Sequence, residues 1–99
     1  MKLSLAERFA IQKSLPKEGS FTTLKILNSL RMSLAPSEEE IKEYNIREED
    51  GRIYWTELEE KEIEIGEKAT DLIVEALKTL DKSNKLTNEH FTIYEKFVK

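Results

Sequence analysis

The sequence predicts a single α+β domain over residues 1–99, with helices at both ends and a small three-stranded antiparallel β-sheet between them. The stretch Glu67–Asp81 repeats apolar residues at helical spacing and places charged residues opposite them. The pair Asp50-Gly51 is the favoured centre of a two-residue hairpin turn. The run Lys61–Ile65 alternates charged and apolar residues, as a half-buried strand does. A chain of 99 residues can bury a core without disulfides or metals.

The first predicted helix spans about residues 5–15. Ser4 and Glu7 have the spacing of a capping box, and the helix should end before Pro16 because a residue that precedes proline disfavours the helical region. The apolar residues of this stretch fall on two sides of a helix. We therefore expect the helix either to be packed on two sides or to expose an apolar strip.

Two further helices are predicted at about residues 21–34 and 38–44. Ser20 or Thr22 can cap the second helix, and Pro36 ends it. Ser37 and Glu40 form a second capping-box pattern that starts the short third helix.

The hairpin centred on Asp50-Gly51 has a defined register. A two-residue turn pairs Glu49 with Arg52, Glu48 with Ile53, Arg47 with Tyr54 and Ile46 with Trp55. Because side chains alternate along a strand, Ile46, Ile53 and Trp55 should share one face. Arg47 and Tyr54 should share the other face.

The C-terminal part predicts two helices. The helix that begins at Glu67 should end at Ser83-Asn84, and the last helix should span about residues 88–98, capped by Thr87. Leu86 and Phe91 stand at the positions of a hydrophobic staple. We expect Leu77 to be buried against the sheet face, formed by Ile53, Trp55, Ile63 and Ile65. The resulting order is α-α-α-β-β-β-α-α, and three helices followed by a hairpin also match the order of a winged-helix unit.

The charge is unevenly distributed. The chain has a net charge of −4, but residues 37–67 contain four Lys or Arg against thirteen Asp or Glu, a net charge of −9. This acidic segment, residues 37–67, is either an ordinary solvated surface or a docking face for a basic partner. With no cysteine and no apolar run of membrane-spanning length, the chain is expected to be soluble and cytoplasmic.

The sequence offers no specific catalytic, metal-binding or cofactor-binding motif. His90 is the only histidine, so no histidine-based triad or multi-histidine metal site can be assembled, and a structural or surface role is expected for it. The three glycines make no phosphate-binding loop. The clustered carboxylates could in principle bind a divalent cation or act as an acid/base pair, but they lack the spacing of a calcium loop. We therefore predict no catalytic residue, no metal site and no cofactor.

A protein-binding surface is the functional site that the sequence favours. Tyr54 or Trp55 could anchor a partner, although simple cross-strand packing explains them equally well. The candidate contact residues are Glu38, Glu39, Glu40, Glu43, Arg47, Glu48, Glu49, Tyr54, Trp55, Glu62 and Glu64.

Nucleic acid is a less suitable partner. In a winged helix the third helix reads DNA, and here that helix carries four glutamates against one lysine, which phosphate would repel. A scattered basic set could touch nucleic acid from the first two helices, or it could be an ordinary solvated surface. It consists of Lys2, Arg8, Lys13, Lys17, Lys25 and Arg31.

The C-terminal stretch KEIEIGEKATDLIVEALKTLDKSNKLTNEHFTIYEKFVK and the earlier LPKEGSF resemble small uncharacterised proteins encoded by phages and prophages. The resemblance implies a phage accessory role and carries no functional residue. We thus expect a non-enzymatic module that binds a basic or nucleic-acid-binding host protein. The alternatives are a winged-helix DNA-binding regulator and a subunit of a larger phage assembly, and the oligomeric state stays open.

Overall fold

The computed structural model describes residues 1–99 and contains five helices and four short strands. In chain order these are β1 (Lys2–Leu3), α1 (Leu5–Ser14), α2 (Phe21–Leu34), α3 (Glu38–Glu43), β2 (Arg47–Glu49), β3 (Arg52–Tyr54), β4 (Lys61–Glu62), α4 (Glu67–Lys82) and α5 (Asn88–Phe97). The predicted α+β class is confirmed. All five predicted helices are present, close to their expected bounds.

Both predicted capping boxes are formed. The Ser4 Oγ accepts the Glu7 N–H at 3.1 Å, and the Glu7 carboxylate accepts the Ser4 N–H at 2.9 Å. At α3 the corresponding distances between Ser37 and Glu40 are 3.2 and 3.0 Å. Each box satisfies N–H groups that the first turn of a helix leaves free, so the starts of α1 and α3 are fixed locally.

The start of α2 agrees with the sequence prediction, whereas the start of α5 differs from it in part. Ser20, the first of the two candidates, caps α2 through a 3.1 Å bond from the Thr23 N–H to its Oγ. At α5 the predicted staple is wrong, because Phe91 is 64% exposed. The buried residue of this turn is His90, whose Nδ1 accepts the Thr87 N–H at 3.0 Å. With His90 turned inward, Phe91 lies one position further round, on the outer side of the helix.

The predicted three-stranded sheet is wrong, since the strands form two separate pairs. The hairpin has the predicted register, with Arg47 opposite Tyr54 and Glu49 opposite Arg52. The third predicted strand is shortened to β4, which pairs antiparallel with β1 rather than with the hairpin. The reason lies at the N-terminus, where the buried Leu3 side chain brings β1 alongside β4. Strand alternation indicates a strand but does not identify its partner.

The hydrophobic core lies between α1, α2, α4 and α5. Its eleven buried residues are Leu3, Ala10, Ile11, Leu15, Leu27, Leu30, Leu34, Ala69, Ile73, Leu77 and Ile93. The helix α1 is packed on two sides, which decides between the two expectations for it: Ile11 faces this core, and Phe9 contacts Trp55 of the hairpin segment.

Leu77 is fully buried, as predicted, but its surroundings are different from those expected. The helix α4 packs against α1, α2 and α5. Ile63 and Ile65 pack against the same core, whereas Ile53 is 51% exposed and Trp55 lies outside the core cluster. The apolar stripes of the other three helices supply the surface that α4 covers, so the hairpin is not needed for its burial.

Candidate protein-binding surface

The hairpin β2–β3 forms a two-stranded ribbon that is separate from the β1–β4 pair. Asp50 and Gly51 have φ values of 52° and 76°, the positive values that a type I′ turn requires. Glycine adopts such values without strain, and aspartate tolerates them. All six strand residues are exposed. The strand residues of the ribbon are therefore accessible to solvent or to a partner.

Two contacts fix the hairpin to the body. Tyr44, which ends α3, is buried, and its carbonyl accepts the Thr56 N–H at 2.7 Å. On the other side, the rings of Phe9 and Trp55 meet edge to face with 5.2 Å between their centroids. The sequence predicts Tyr44 in the third helix, but no pattern in the sequence marks this residue as an anchor.

The two predicted aromatic anchors have different environments. Trp55 is half-buried against Phe9, and its Nε1–H donates to the Glu57 carboxylate at 2.9 Å. Tyr54 is 39% exposed, and the Arg47 guanidinium lies 5.7 Å from its ring centroid. This is a cation–π arrangement on the solvent side of the ribbon. Tyr54 and Arg47 are thus available to a partner, while Trp55 belongs partly to the fold.

The predicted contact residue Glu40 is engaged inside the protein by Arg8. The Arg8 side chain is 1% exposed, and its Nη1 and Nη2 donate to the two Glu40 oxygens at 2.7 and 3.1 Å. Its Nε and Nη2 also donate to the carbonyls of Leu34 and Ala35, at 2.9 and 3.1 Å. Arg8 therefore joins α1 to the end of α2 and the start of α3. The buried guanidinium has a carboxylate partner and two carbonyl partners.

This arrangement changes the acidity of Glu40. The hydrogen bonds from Arg8, together with the bond from the Ser37 N–H and the charge of Lys61, lower the pKa of Glu40 from 4.5 to about 2 despite its partial burial. Glu40 is accordingly a structural carboxylate that stays ionised. It is removed from the candidate contact surface.

A second cluster of charges, which no pattern in the sequence predicts, surrounds Lys96. Lys96 Nζ donates to Glu7 at 2.7 Å, to Glu60 at 2.9 Å and to the Lys2 carbonyl at 2.8 Å. Burial raises the pKa of Glu7, but the bonds from Lys96 and from the Ser4 N–H outweigh it and leave the pKa below its ordinary value. These partners are far apart in the sequence, so no local pattern could have indicated the cluster.

Two other predicted contact residues are paired on the surface. Glu43 lies 3.2 Å from Lys61, and its hydrogen bond raises the pKa of that lysine. Lys61 Nζ also lies 5.2 Å from the ring centroid of Tyr44. The Glu62 carboxylate binds the N-terminal amine of Met1, which lowers the pKa of Glu62.

The remaining predicted carboxylates are exposed. No salt bridge within the chain reaches Glu38, Glu39, Glu48 or Glu64, and Glu49 has only a 3.5 Å contact with Arg47. Glu38 and Glu39 lie in the first turn of α3, and Glu48 and Glu49 lie on β2. Three residues connect these two elements, and the Ile46 N–H donates to the Ile41 carbonyl at 3.0 Å. We define the acidic face as Glu38, Glu39, Glu48 and Glu49.

A cleft of about 880 Å³ lies between β3, α1 and α5. Its apolar lining consists of Ala6, Phe9, Ile53 and Trp55. Most of the other lining residues are charged or polar. Lys13 is placed 3.5 Å from Glu89 at this cleft. No group of three or more His, Cys, Asp or Glu side chains is arranged to hold a metal ion.

The basic set that the sequence analysis considered for nucleic acid is reduced by the structure. Arg8 is buried and bound to Glu40, and Arg31 donates to the Pro16 carbonyl at 3.0 Å. Lys13 has the contact with Glu89 described above. The first two helices thus present fewer free cations than their composition indicates.

Comparison of the chain with protein-family models, with curated proteins and with solved structures found no significant match. None of the five helices combines the length and the apolar content needed to cross a membrane. The geometry of the surface is therefore the basis for a functional assignment.

Proposed function

We propose that this protein is a non-enzymatic, cytoplasmic module that binds a basic or nucleic-acid-binding host protein through its acidic face. The observation that carries the proposal is the set of exposed carboxylates on α3 and β2, beside an exposed Tyr54–Arg47 pair. Charged faces of this kind accelerate association with an oppositely charged partner, and an aromatic residue beside an arginine is a frequent anchor of protein interfaces.

The division between engaged and free carboxylates supports a binding role for particular residues. Glu40, Glu43 and Glu62 have cationic partners within the protein, so their charge is used in the fold. The four carboxylates of the acidic face are not needed to neutralise a buried cation. They can therefore pair with the cations of a basic surface that docks against them.

The phage accessory role is included in the proposal because the sequence resembles phage and prophage proteins, and it makes a host protein the expected partner. A winged-helix DNA-binding regulator and a subunit of a larger phage assembly remain the alternatives. A gel shift with random duplex DNA at low salt tests the first alternative, and sedimentation of the isolated protein tests self-association.

Affinity capture from bacterial lysate, with and without nuclease, tests the proposal. The variant replaces Glu38, Glu39 and Glu48 with lysine. The matched control replaces three exposed carboxylates outside the acidic segment, Asp71, Glu75 and Glu95, with lysine, which changes the net charge equally. We expect the first variant to lose the captured protein at least about tenfold and the control to retain it.

Capture should also weaken as salt is raised and should survive nuclease, since the partner is a protein. Equal loss of capture in both triple variants would show that capture depends on the net charge and not on the position of the carboxylates. Capture that is lost on nuclease treatment would favour the nucleic-acid alternative, and capture insensitive to salt would contradict charge-driven docking.

A further inference from the structure

The outer edge of β3 has hydrogen-bonding groups without partners. In an antiparallel pair, directly opposed residues alternate between those that bond across the ladder and those that do not. The turn is closed by Glu49 and Arg52, so Glu48 and Ile53 form the next, non-bonded pair. The N–H and C=O of Ile53 therefore point away from β2. No turn, loop or side-chain hydrogen bond of the chain uses them.

The same edge borders the cleft described above. Ile53 and the half-buried Trp55 line it from the hairpin side, and Phe9 and Ala6 line it from α1. A strand placed beside β3 would therefore bond to the free edge. Alternate side chains of that strand would reach the apolar patch formed by Ala6, Phe9, Ile53 and Trp55.

The charges at the two ends of the edge differ. Beyond Trp55 the chain carries Glu57, Glu59 and Glu60 with no intervening cation, whereas at the turn end Arg52 accompanies Glu49 and Asp50. Only Glu60 of the three carboxylates has an ion pair, with Lys96. The Trp55 end thus favours positive charge in a neighbouring strand. A second copy of this chain is a poor occupant because its net charge is also −4.

We propose that β3 accepts an extended segment of the basic partner as an added strand. An apolar side chain of that segment packs against Ile53 and the Phe9–Trp55 pair, and its Lys or Arg residues lie near Glu57 and Glu59. This inference rests on the proposed function, because it takes from it the basic protein partner. It adds the mode of recognition, in which backbone hydrogen bonds supply affinity and alternate side chains supply selectivity.

Synthetic peptides test the backbone bonds directly. The probe is a nonapeptide blocked at both ends, with valines at alternate positions, polar residues between them and two lysines at one end. One derivative carries N-methyl groups on the odd-numbered amides, and a second carries them on the even-numbered amides. N-methylation removes the hydrogen-bond donor of an amide without changing the charge of the peptide. Only one set of amides can face β3, so we expect one derivative to lose at least about tenfold in affinity and the other to bind like the parent peptide.

A pair of protein variants tests the same edge from the other side. Ile53→Pro removes the outward N–H but none of the ladder bonds, and proline is tolerated at such edge positions. Ile53→Val keeps the N–H and most of the side chain. We expect peptide binding to be lost in Ile53→Pro and kept in Ile53→Val, with the helical circular dichroism unchanged in both. In the wild-type protein, hydrogen exchange at the Ile53 amide should slow when the peptide binds.

The outcomes separate this inference from the proposed function. Equal binding of both N-methylated peptides, or no protection of Ile53, would overturn strand addition even if the charge reversal of the acidic face still abolished capture. If capture did not depend on salt but one N-methylated peptide still bound more weakly than the other, docking through the acidic face would be overturned instead. No binding of the parent peptide at millimolar concentration would also overturn strand addition.

Discussion

The helical body and the hairpin are built by the same chain but are stabilised in different ways. In the body, α1, α2, α4 and α5 each contribute buried residues to one core, and Ile11, Leu27, Leu77 and Ile93 are fully buried. In the hairpin every strand residue is exposed, and the ribbon is fixed by Tyr44 and by the edge contact of Phe9 with Trp55.

The difference shows which features of a fold are specified by many residues and which by few. The apolar stripe of a helix is buried by any arrangement of neighbouring elements that covers it. The sequence therefore predicts the burial of α4 correctly, although the neighbours that it predicts for α4 are wrong. The hairpin instead depends on its turn and on two contacts. Substitutions in the two regions should therefore differ in how much they lower the stability and in how much of the structure they affect.

The largest effect is expected where a buried charge joins the body to α3. Arg8→Ala leaves Glu40 without its main partner and leaves the Leu34 and Ala35 carbonyls unbonded. Loss of one member of a buried ion pair costs about 3–5 kcal/mol. Chemical unfolding should show this decrease, while the control Lys13→Ala, on an exposed side chain, should change stability by less than about 0.5 kcal/mol. Equal stability of the two variants would show that the Arg8 contacts do not hold α3.

A large effect is also expected from the core. Leu77→Ala leaves a cavity among packed helices, which costs about 2–5 kcal/mol. Because 1 kcal/mol shifts the melting temperature of a domain of this size by about 4–8 °C, the Tm should fall by about 10 °C or more. The exposed neighbour Lys78→Ala should have little effect. Matching melts for the two variants would contradict the burial of α4.

An intermediate effect is expected from acid. The folded-state pKa of Glu40 is about 2 against an ordinary value of 4.5, so its stabilisation is fully present above pH 4.5 and is lost as the pH falls towards 2. At 1.36 kcal/mol per pKa unit the full shift corresponds to about 3 kcal/mol, of which about 2 kcal/mol is lost by pH 3. The lowered pKa of Glu7 acts in the same direction.

Urea unfolding at pH 6 and pH 3 measures this loss. The Glu40→Gln variant is the control, because it keeps the side-chain shape and has no carboxyl group to protonate. Its stability should be lower at pH 6 and should decline less on acidification. A decline as steep as that of the wild-type protein would show that other carboxyl groups cause the acid sensitivity.

The smallest effect is expected in the hairpin. Gly51 has a φ of 76°, so Gly51→Ala places a side chain in a conformation that costs about 1–2 kcal/mol. Because the ribbon is outside the core, local opening should increase while the helical melt changes little. Amide hydrogen exchange of β2 and β3 measures the opening. Asp50→Asn is the control, since asparagine suits the same turn position. A large fall in Tm for Gly51→Ala would show that the ribbon and the body unfold together.

The sequence predicted the local elements well because their signals are local. The capping boxes of α1 and α3, the register of the hairpin and the burial of Leu77 all depend on residues within one or two turns or on a simple period. The pairing of β4 with β1 could not be predicted in this way. It depends on the burial of Leu3, a single apolar residue in a two-residue strand that carries no periodic signal.

The sequence predicts where the acidic segment lies but not which of its carboxylates are paired within the protein. Composition identified residues 37–67 as acidic, and it could not show that Arg8 would withdraw Glu40 from the surface. Arg8 precedes Glu40 by 32 residues and resembles any exposed arginine in the sequence. Tyr44 was also not recognisable as an anchor, because its burial depends on contacts with the segment that follows the hairpin.

Trp55 gives the protein a spectroscopic property that follows from its position. It is the only tryptophan, and its indole ring contacts Phe9 and Glu57 rather than the core cluster. Intrinsic fluorescence should therefore report the attachment of the ribbon to the body, whereas far-ultraviolet circular dichroism reports the helices. The two signals have coincident transitions only if unfolding is two-state. An earlier fluorescence transition would directly measure the free energy of detaching the hairpin from α1.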